Sequence, residues 1–356
     1  MKKINKGLLT LLLMLTQFSY AQTIVSLKAK NAATIDTRGL DYYINIAEIL
    51  KKGDKPAPYL WDSLFATPYF NLAINKFNLT TKEKQQKEIE LVYSPSSALT
   101  KEQEQEFQHH LEYKKNLESL KVFSAALKDG SIRNTIQQYL YPFLPLRLQK
   151  EEFILLIIYT YYYSEEANGM EDMILQDALL AWKMDSYKKG LLTAHEAFHS
   201  VISKAGTSRT KINLEQVNTK SIVVNILSGI AQEGVADLID KEEFSQLTSP
   251  MYEMVSAMMQ DDEKKSQAYI KALDSSIIAL PKNAKIKNPR TFSQSVMGFA
   301  GHQPGRYMGK IIRDAGLLPE LIVDIENPFL FFYTYNIAAL KLGTKSPVFL
   351  KNLYTG

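Results

Sequence analysis

The chain has 356 residues, 46% of them hydrophobic, with 42 basic and 38 acidic side chains and no cysteine. Length and apolar content suffice for an ordinary packed core, in one large domain or two modest ones. The absence of cysteine excludes disulfide staples, lipid attachment through a thiol and thiolate metal ligands, so a metal site must be built from histidine and carboxylate.

The first residues, MKKINKGLLTLLLMLTQFSYAQ, join Lys2, Lys3 and Lys6 to an apolar run at 8–15 and to Ser19-Tyr20-Ala21. This is the layout of a secretory signal peptide at 1–21, and it predicts cleavage at Ala21-Gln22 and an exported, periplasmic or secreted protein. The apolar run is shorter than the roughly 20 residues a bilayer span requires, so no stable membrane insertion is expected after signal removal. Residues 1–21 carry three lysines and no acid, so without them the net charge falls from +4 to +1. A surface so close to neutral gives no reason to expect nucleic acid or anionic lipid as a partner.

Residues 22–147 read as an N-terminal helical region. GLDYYINIAEILKK (39–52), KEKQQKEIELVY (82–93) and SIRNTIQQYLYPFL (131–144) are predicted helices. Between the last two, residues 100–129 are predicted as one long helix. There Phe107, Leu111, Leu117, Leu120 and Phe123 recur at helical spacing, and Asp129-Gly130 closes the segment. His109 and His110, in its charged part, read as surface residues. At residue 151 the texture changes: EEFILLIIYTYYY is rich in β-formers and reads as a buried strand. SEEANG (164–169) then reads as a turn, and MEDMILQDALLAW (170–182) as a second strand or a short helix. A helix at about 185–204, closed by Gly206, and a second at 220–244 follow. Helices return over 248–356, with loops at Pro281, Pro289, Pro304, Pro319 and Pro328. This organisation sets off a central region at 148–260, which holds the motifs taken up next and reads as the zinc-binding catalytic core on their account, and a C-terminal helical region at 261–356. The fold class is mainly α (α+β), a helical protein with a small sheet packed beside the helix at 185–204.

That helix contains LLTAHEAFHSVIS (191–203). Residues four apart share a helix face, so the imidazoles of His195 and His199 can converge on one ion, with Glu196 leaning over its open position. This is the HExxH arrangement of zinc hydrolases. The other reading has two partly buried histidines bonded to neighbours and an exposed Glu196. Leu191, Leu192, Ala194, Phe198, Val201 and Ile202 make the helix mostly apolar, and imidazoles buried there need a compensating partner. A tetrahedral site needs a third protein ligand. Ile202 and Ala205 stand where the metzincin continuation requires Gly and His, which leaves a carboxylate from the next helix. Glu233 lies 34 residues beyond His199, after the apolar IVVNILSGIA, and Asp237 shares its face. Gly229, Gly234 and Ala236 are small enough to let this helix approach the HExxH helix closely. The alternative for Glu233 is a solvated acid, like Glu242 and Glu243.

The pattern resembles the gluzincin zinc metallopeptidases, which carry HExxH on one helix and a glutamate ligand on the following one. With its export signal and EGVAD segment, the chain is also similar to zinc-dependent peptidases exported by Bacteroidota. Gln232 departs from the asparagine that better-known gluzincins place before the glutamate. The resemblance implies a thermolysin-like zincin core and Zn2+ held by His195, His199 and Glu233. It implies a peptide or protein substrate, hydrolysed by a zinc-activated water with Glu196 as general base. It casts Asp237 as the partner that orients His195. It also implies an oxyanion donor from Tyr or His, for which GFAGHQPGRYMGKIIRDAG (298–316) offers Tyr307, favoured over His302. Arg306 beside it reads either as a clamp for a substrate carboxylate or as a solvated side chain. Finally, the resemblance implies an edge strand that receives an extended peptide, formed by the ANG segment or its neighbour. Two other readings compete: an exported binding protein that keeps a structural or vestigial zinc without hydrolysis, and a metal-free protein with both histidines in a packed core.

Overall fold

LIIYT is β-branched and aromatic with no polar face to show solvent, and it forms strand β2 (Leu156–Thr160), buried at four of its five positions. The structure, a computed structural model, describes residues 35–76, 80–94, 99–149, 155–162, 166–170, 173–209, 219–244, 263–279, 286, 289–298 and 300–344. The export signal predicted at 1–21 and the loop at Pro281 lie outside the described residues. The described chain is mainly α, as predicted, with one four-stranded mixed sheet in the order β1-β2-β4-β3. β1 (Ile35–Asp36), β2 and β4 (Met173–Asp177) run parallel, while β3 (Ala167–Met170) lies antiparallel to β4 at the edge. The turn predicted at 164–169 is therefore partly strand: its ANG residues pair with β4 through Asn168↔Leu175 and Gly169↔Ile174. The segment at 170–182 is both of its predicted alternatives in succession, strand β4 and then a helix.

Two compact units divide the chain, Ala29–Gln138 with Glu152–Ala197, and Tyr139–Glu151 with Phe198–Gly356. The first contains the sheet and helices α1 (Arg38–Lys51), α2 (Pro58–Phe65), α3 (Lys82–Tyr93), α4 (Lys101–Glu106), α5 (Gln108–Lys115), α6 (Leu117–Leu127) and α8 (Ala178–Tyr187), with most of α7 (Ile132–Leu140). The single helix predicted at 100–129 is broken into α4, α5 and α6. The breaks fall at Phe107 (φ −97, ψ 15) and Asn116 (φ −103, ψ 15), bridge-region residues that leave the apolar period intact.

The core of this unit is aromatic and polar together. Tyr43 and Tyr161 stack with ring centroids 4.1 Å apart. The Tyr113 hydroxyl donates to Asp177 and accepts from the Leu179 N–H at 3.2 Å. Burial and the neighbouring Asp177 charge push the Tyr113 pKa well up, so the phenol stays a donor. Asp177 also caps α8 by accepting from the Leu180 N–H at 2.8 Å. His109 and His110 are not surface residues. His110 is buried between the Tyr161 hydroxyl and Glu88, and His109 Nε2 lies 3.4 Å from Asp177. Their partner acids come from α3 and β4, which no local spacing reveals.

Helix α9 (Leu191–Arg209) carries HExxH and is registered against the sheet at its first turn. Thr193 bonds the Tyr159 hydroxyl at 3.1 Å and accepts from Gln176 Nε2 at 3.0 Å, from strand residues that are themselves paired. The small sheet thus lies beside the HExxH helix, as predicted. α9 starts later than predicted and does not stop at Gly206, which sits inside the helix.

The second unit is helical throughout its described part, with α10 (Thr219–Phe244), α11 (Glu263–Ala279), α12 (Pro289–Met297), α13 (His302–Asp314), α14 (Leu318–Ile322) and α15 (Pro328–Lys341). Pro289, Pro304, Pro319 and Pro328 fall in the first turns of these helices rather than in loops, where the missing N–H costs nothing. The stretch Ser221–Phe244 of α10 is long and apolar enough to cross a membrane, but 67% of its most apolar window is buried inside the fold.

Candidate metal centre

On α9, His195 and Glu196 are buried at 3% and 8% exposure, and the His199 side chain is mostly buried. The alternative of an exposed Glu196 is thereby overturned. On α10, Glu233, Asp237 and Asp240 fall at i, i+4 and i+7, one face of the helix, and all three are buried. The solvated-acid alternative for Glu233 falls with that observation. Among the described residues, His195, His199 and Glu233 each offer one ligand atom, all within 4.8 Å of one another. His199 Nε2 lies 3.4 Å from Glu233 Oε2. Ligand atoms held about 2.0–2.1 Å from a tetrahedral zinc stand roughly 3.3–3.4 Å apart, so this pair already has the spacing of one edge of the site.

Charge gives a second test of fit. Lys241 donates to Asp240 Oδ2 at 2.8 Å. Burial works against its charge, but Asp240 and Asp237 outweigh burial and raise its pKa, so it stays an ammonium. Glu233, Asp237 and Asp240 thus put three buried carboxylates on one face of α10, with Lys241 beside Asp240, an acid-rich setting that suits a cation. A set of two imidazoles and a carboxylate suits zinc.

His302 joins the same acids from α13. Its Nδ1 lies 3.0 Å from each oxygen of Asp237 and 3.1 Å from Glu233 Oε2. Burial disfavours a charged ring, but Asp237 and then Glu233 more than offset it, and the pKa of His302 is raised. Asp237 also comes within 4.8 Å of His195, in a group completed by Asp240. It therefore stands where a partner of His195 was expected, yet its hydrogen bonds go to His302.

The approach of α13 that permits this is made by glycines. A Cβ on Gly234 would meet Gly305 O at 2.7 Å, and one on Gly309 would meet Gly234 O at 2.2 Å. Gly229 faces Met297 on α12. Gly234 thus admits α13, and Gly229 admits α12. Gly301 precedes α13 at φ 103, a left-handed backbone that a side chain would strain.

Tyr307, the favoured oxyanion donor, lies one helix turn and more beyond His302 on α13. Five residues of helix turn it about 140° away from the His302 face. It lies half-buried, its hydroxyl accepting from Gln267 Nε2 on α11 at 3.0 Å. Arg306, four residues from His302 and so on its face, is 8% exposed, which rules out the solvated reading. Asp240, Lys241 and the acid-facing position of His302 escaped the sequence reading. One signal was available: Gly301, Gly305 and Gly309 repeat at four-residue intervals, the small-residue spacing of a close helix contact.

A family model described as "Putative zinc dependent peptidase (DUF5700)" matches residues 61–344. No curated protein and no solved structure matches the chain. The matched residues take in the HExxH helix, the helix of Glu233 and the helix of His302, and the chain belongs to this family.

Proposed function

We propose that the protein is an exported zinc metallopeptidase of the gluzincin type, with a zincin-like core. The observation that carries this reading is the meeting of His195, His199 and Glu233, with a carboxylate oxygen 3.4 Å from His199 Nε2. His195 and His199 hold zinc through ring nitrogens and Glu233 through a carboxylate oxygen. Bound zinc supplies a Lewis acid that polarises a carbonyl and brings the pKa of water towards 7. Glu196, next to His195 and buried, takes the proton from the attacking water and returns it to the departing amine. β3 lies at the edge of the sheet, the position from which an extended peptide is held by main-chain hydrogen bonds. Arg306 is the candidate group for a substrate carbonyl or carboxylate. Export is supported by the basic, apolar and small-residue layout of 1–21.

Glu196→Gln is expected to keep one zinc per chain while peptide hydrolysis falls by about 10²–10⁴. Unchanged hydrolysis in that variant removes Glu196 as the base. The orientation of Tyr307 favours a second reading, an exported binding protein that holds zinc without turnover. One zinc per chain with no cleavage across a broad peptide library would establish it.

A further inference from the structure

We propose that His302 is a positioning residue for Glu233, anchored by Asp237, and that it fixes the direction from which Glu233 presents its oxygen to the metal. This rests on the reading of His195, His199 and Glu233 as ligands. Ionised carboxylates only accept hydrogen bonds, so the proton in this cluster is on His302 Nδ1. That hydrogen is bonded to Asp237, whose two oxygens both lie 3.0 Å from Nδ1. Glu233 Oε2 lies 3.1 Å from the same nitrogen, held beside it by charge. Glu233 Oε2 is also the oxygen that faces His199 Nε2 at 3.4 Å. His302 therefore acts on the atom the metal takes.

The position of His302 is set by backbone as well as by rotamer. It opens α13 directly after Gly301, and Gly305 and Gly309 press α13 onto α10 with no side chain between. Glu233 and Asp237 project one turn apart from the opposing helix. When a metal draws on Oε2, the hydrogen bond of His302 to Asp237 is undisturbed, and no side chain has to move. A glutamate held this way does not lose its rotamer freedom at the moment of metal binding.

The same three residues also come within 4.8 Å of one another as a possible second cation set. Hydrogen bonding decides between the two: in the second set the proton of His302 Nδ1, bonded to Asp237, stands on the nitrogen that a metal would need.

The test measures zinc per chain by elemental analysis, zinc affinity by competition with a chromophoric chelator, and the visible spectrum of the Co2+-substituted protein. His302→Ala is expected to keep one metal per chain, bind zinc about 10–100-fold more weakly, and shift the Co2+ bands. In His302→Asn the amide N–H stands where Nδ1–H stood, and affinity should return to within about threefold of the parent. Parental affinity and Co2+ bands in His302→Ala, with only kcat reduced, overturn the proposal in favour of an oxyanion role. Two zinc ions per parent chain, falling to one in His302→Ala, overturn it in favour of a second site. If the parent chain holds no zinc, or His199→Ala keeps full affinity, it is the ligand assignment that fails, a result separable from the others.

Discussion

A carboxyl withdrawn from water and given a single backbone donor holds its proton above the usual range. Asp185 on α8 is such a group: burial raises its pKa to about 6 against the pull of the Gly190 N–H, 2.8 Å from Oδ1. The folded chain then binds this proton more tightly than the unfolded chain. Its contribution to stability is complete below the unfolded pKa of about 3.8 and is lost as pH rises through about 6. Asp185→Asn keeps the acceptor for Gly190 and removes the ionisation. It should raise stability at pH 7–8 by on the order of 1–3 kcal/mol and change little at pH 4, as read from denaturant midpoints. At this scale the sequence was informative where chemistry is encoded by local spacing. His195, Glu196 and His199 sit within five residues, and a helix alone brings them together. His302 is 65 residues from Asp237, and nothing in local periodicity chooses Asp237 over solvent as its partner.

Helices were legible as elements, and their junctions were not. The apolar period through Phe107 and Leu117 continues across two breaks, because bridge-region residues change direction without changing which side faces inward. Contact between elements was legible in part: small residues on α10 announced a close approach, and Gly234 makes one with α13, which local pattern does not single out. Two alanine substitutions separate the roles of glycine. In Gly305→Ala the new Cβ would meet Ile230 O at 2.4 Å and Gly234 N at 2.8 Å, so α13 must shift. The expected cost is about 1–3 kcal/mol, with weakened zinc affinity as His302 moves off its acids. At Gly206, inside α9, the nearest atom to a Cβ is Glu326 O at 3.9 Å. Gly206→Ala should therefore stabilise by about 0.5–1 kcal/mol through helix propensity alone. Thermal unfolding of both variants with and without zinc distinguishes these outcomes.

For the molecule as a whole, the class of fold followed from composition and pattern, since long periodic helices and one β-rich run leave few other architectures. The division into units did not. Residues 139–151 belong with 198–356, and 152–197 belong with 29–138, so the chain crosses between units more than once. Sequence proximity cannot show such exchange. Metal linkage is the property to measure at this scale. Zinc at about 100 times its dissociation constant should add roughly 2.7 kcal/mol of stability, and chelator should remove it. His199→Ala should unfold at a midpoint that zinc does not alter.

The contact between α10 and α13 also bears on inheritance. Where two backbones touch, there is no side chain to trade against another, and compensating pairs of mutations are closed off. Drift at 234, 305 and 309 should therefore stall at glycine in any descendant that keeps the centre, while the outer faces of both helices diverge freely. A chain that has lost those three glycines while keeping HExxH would be one in which His302 has been released from its task.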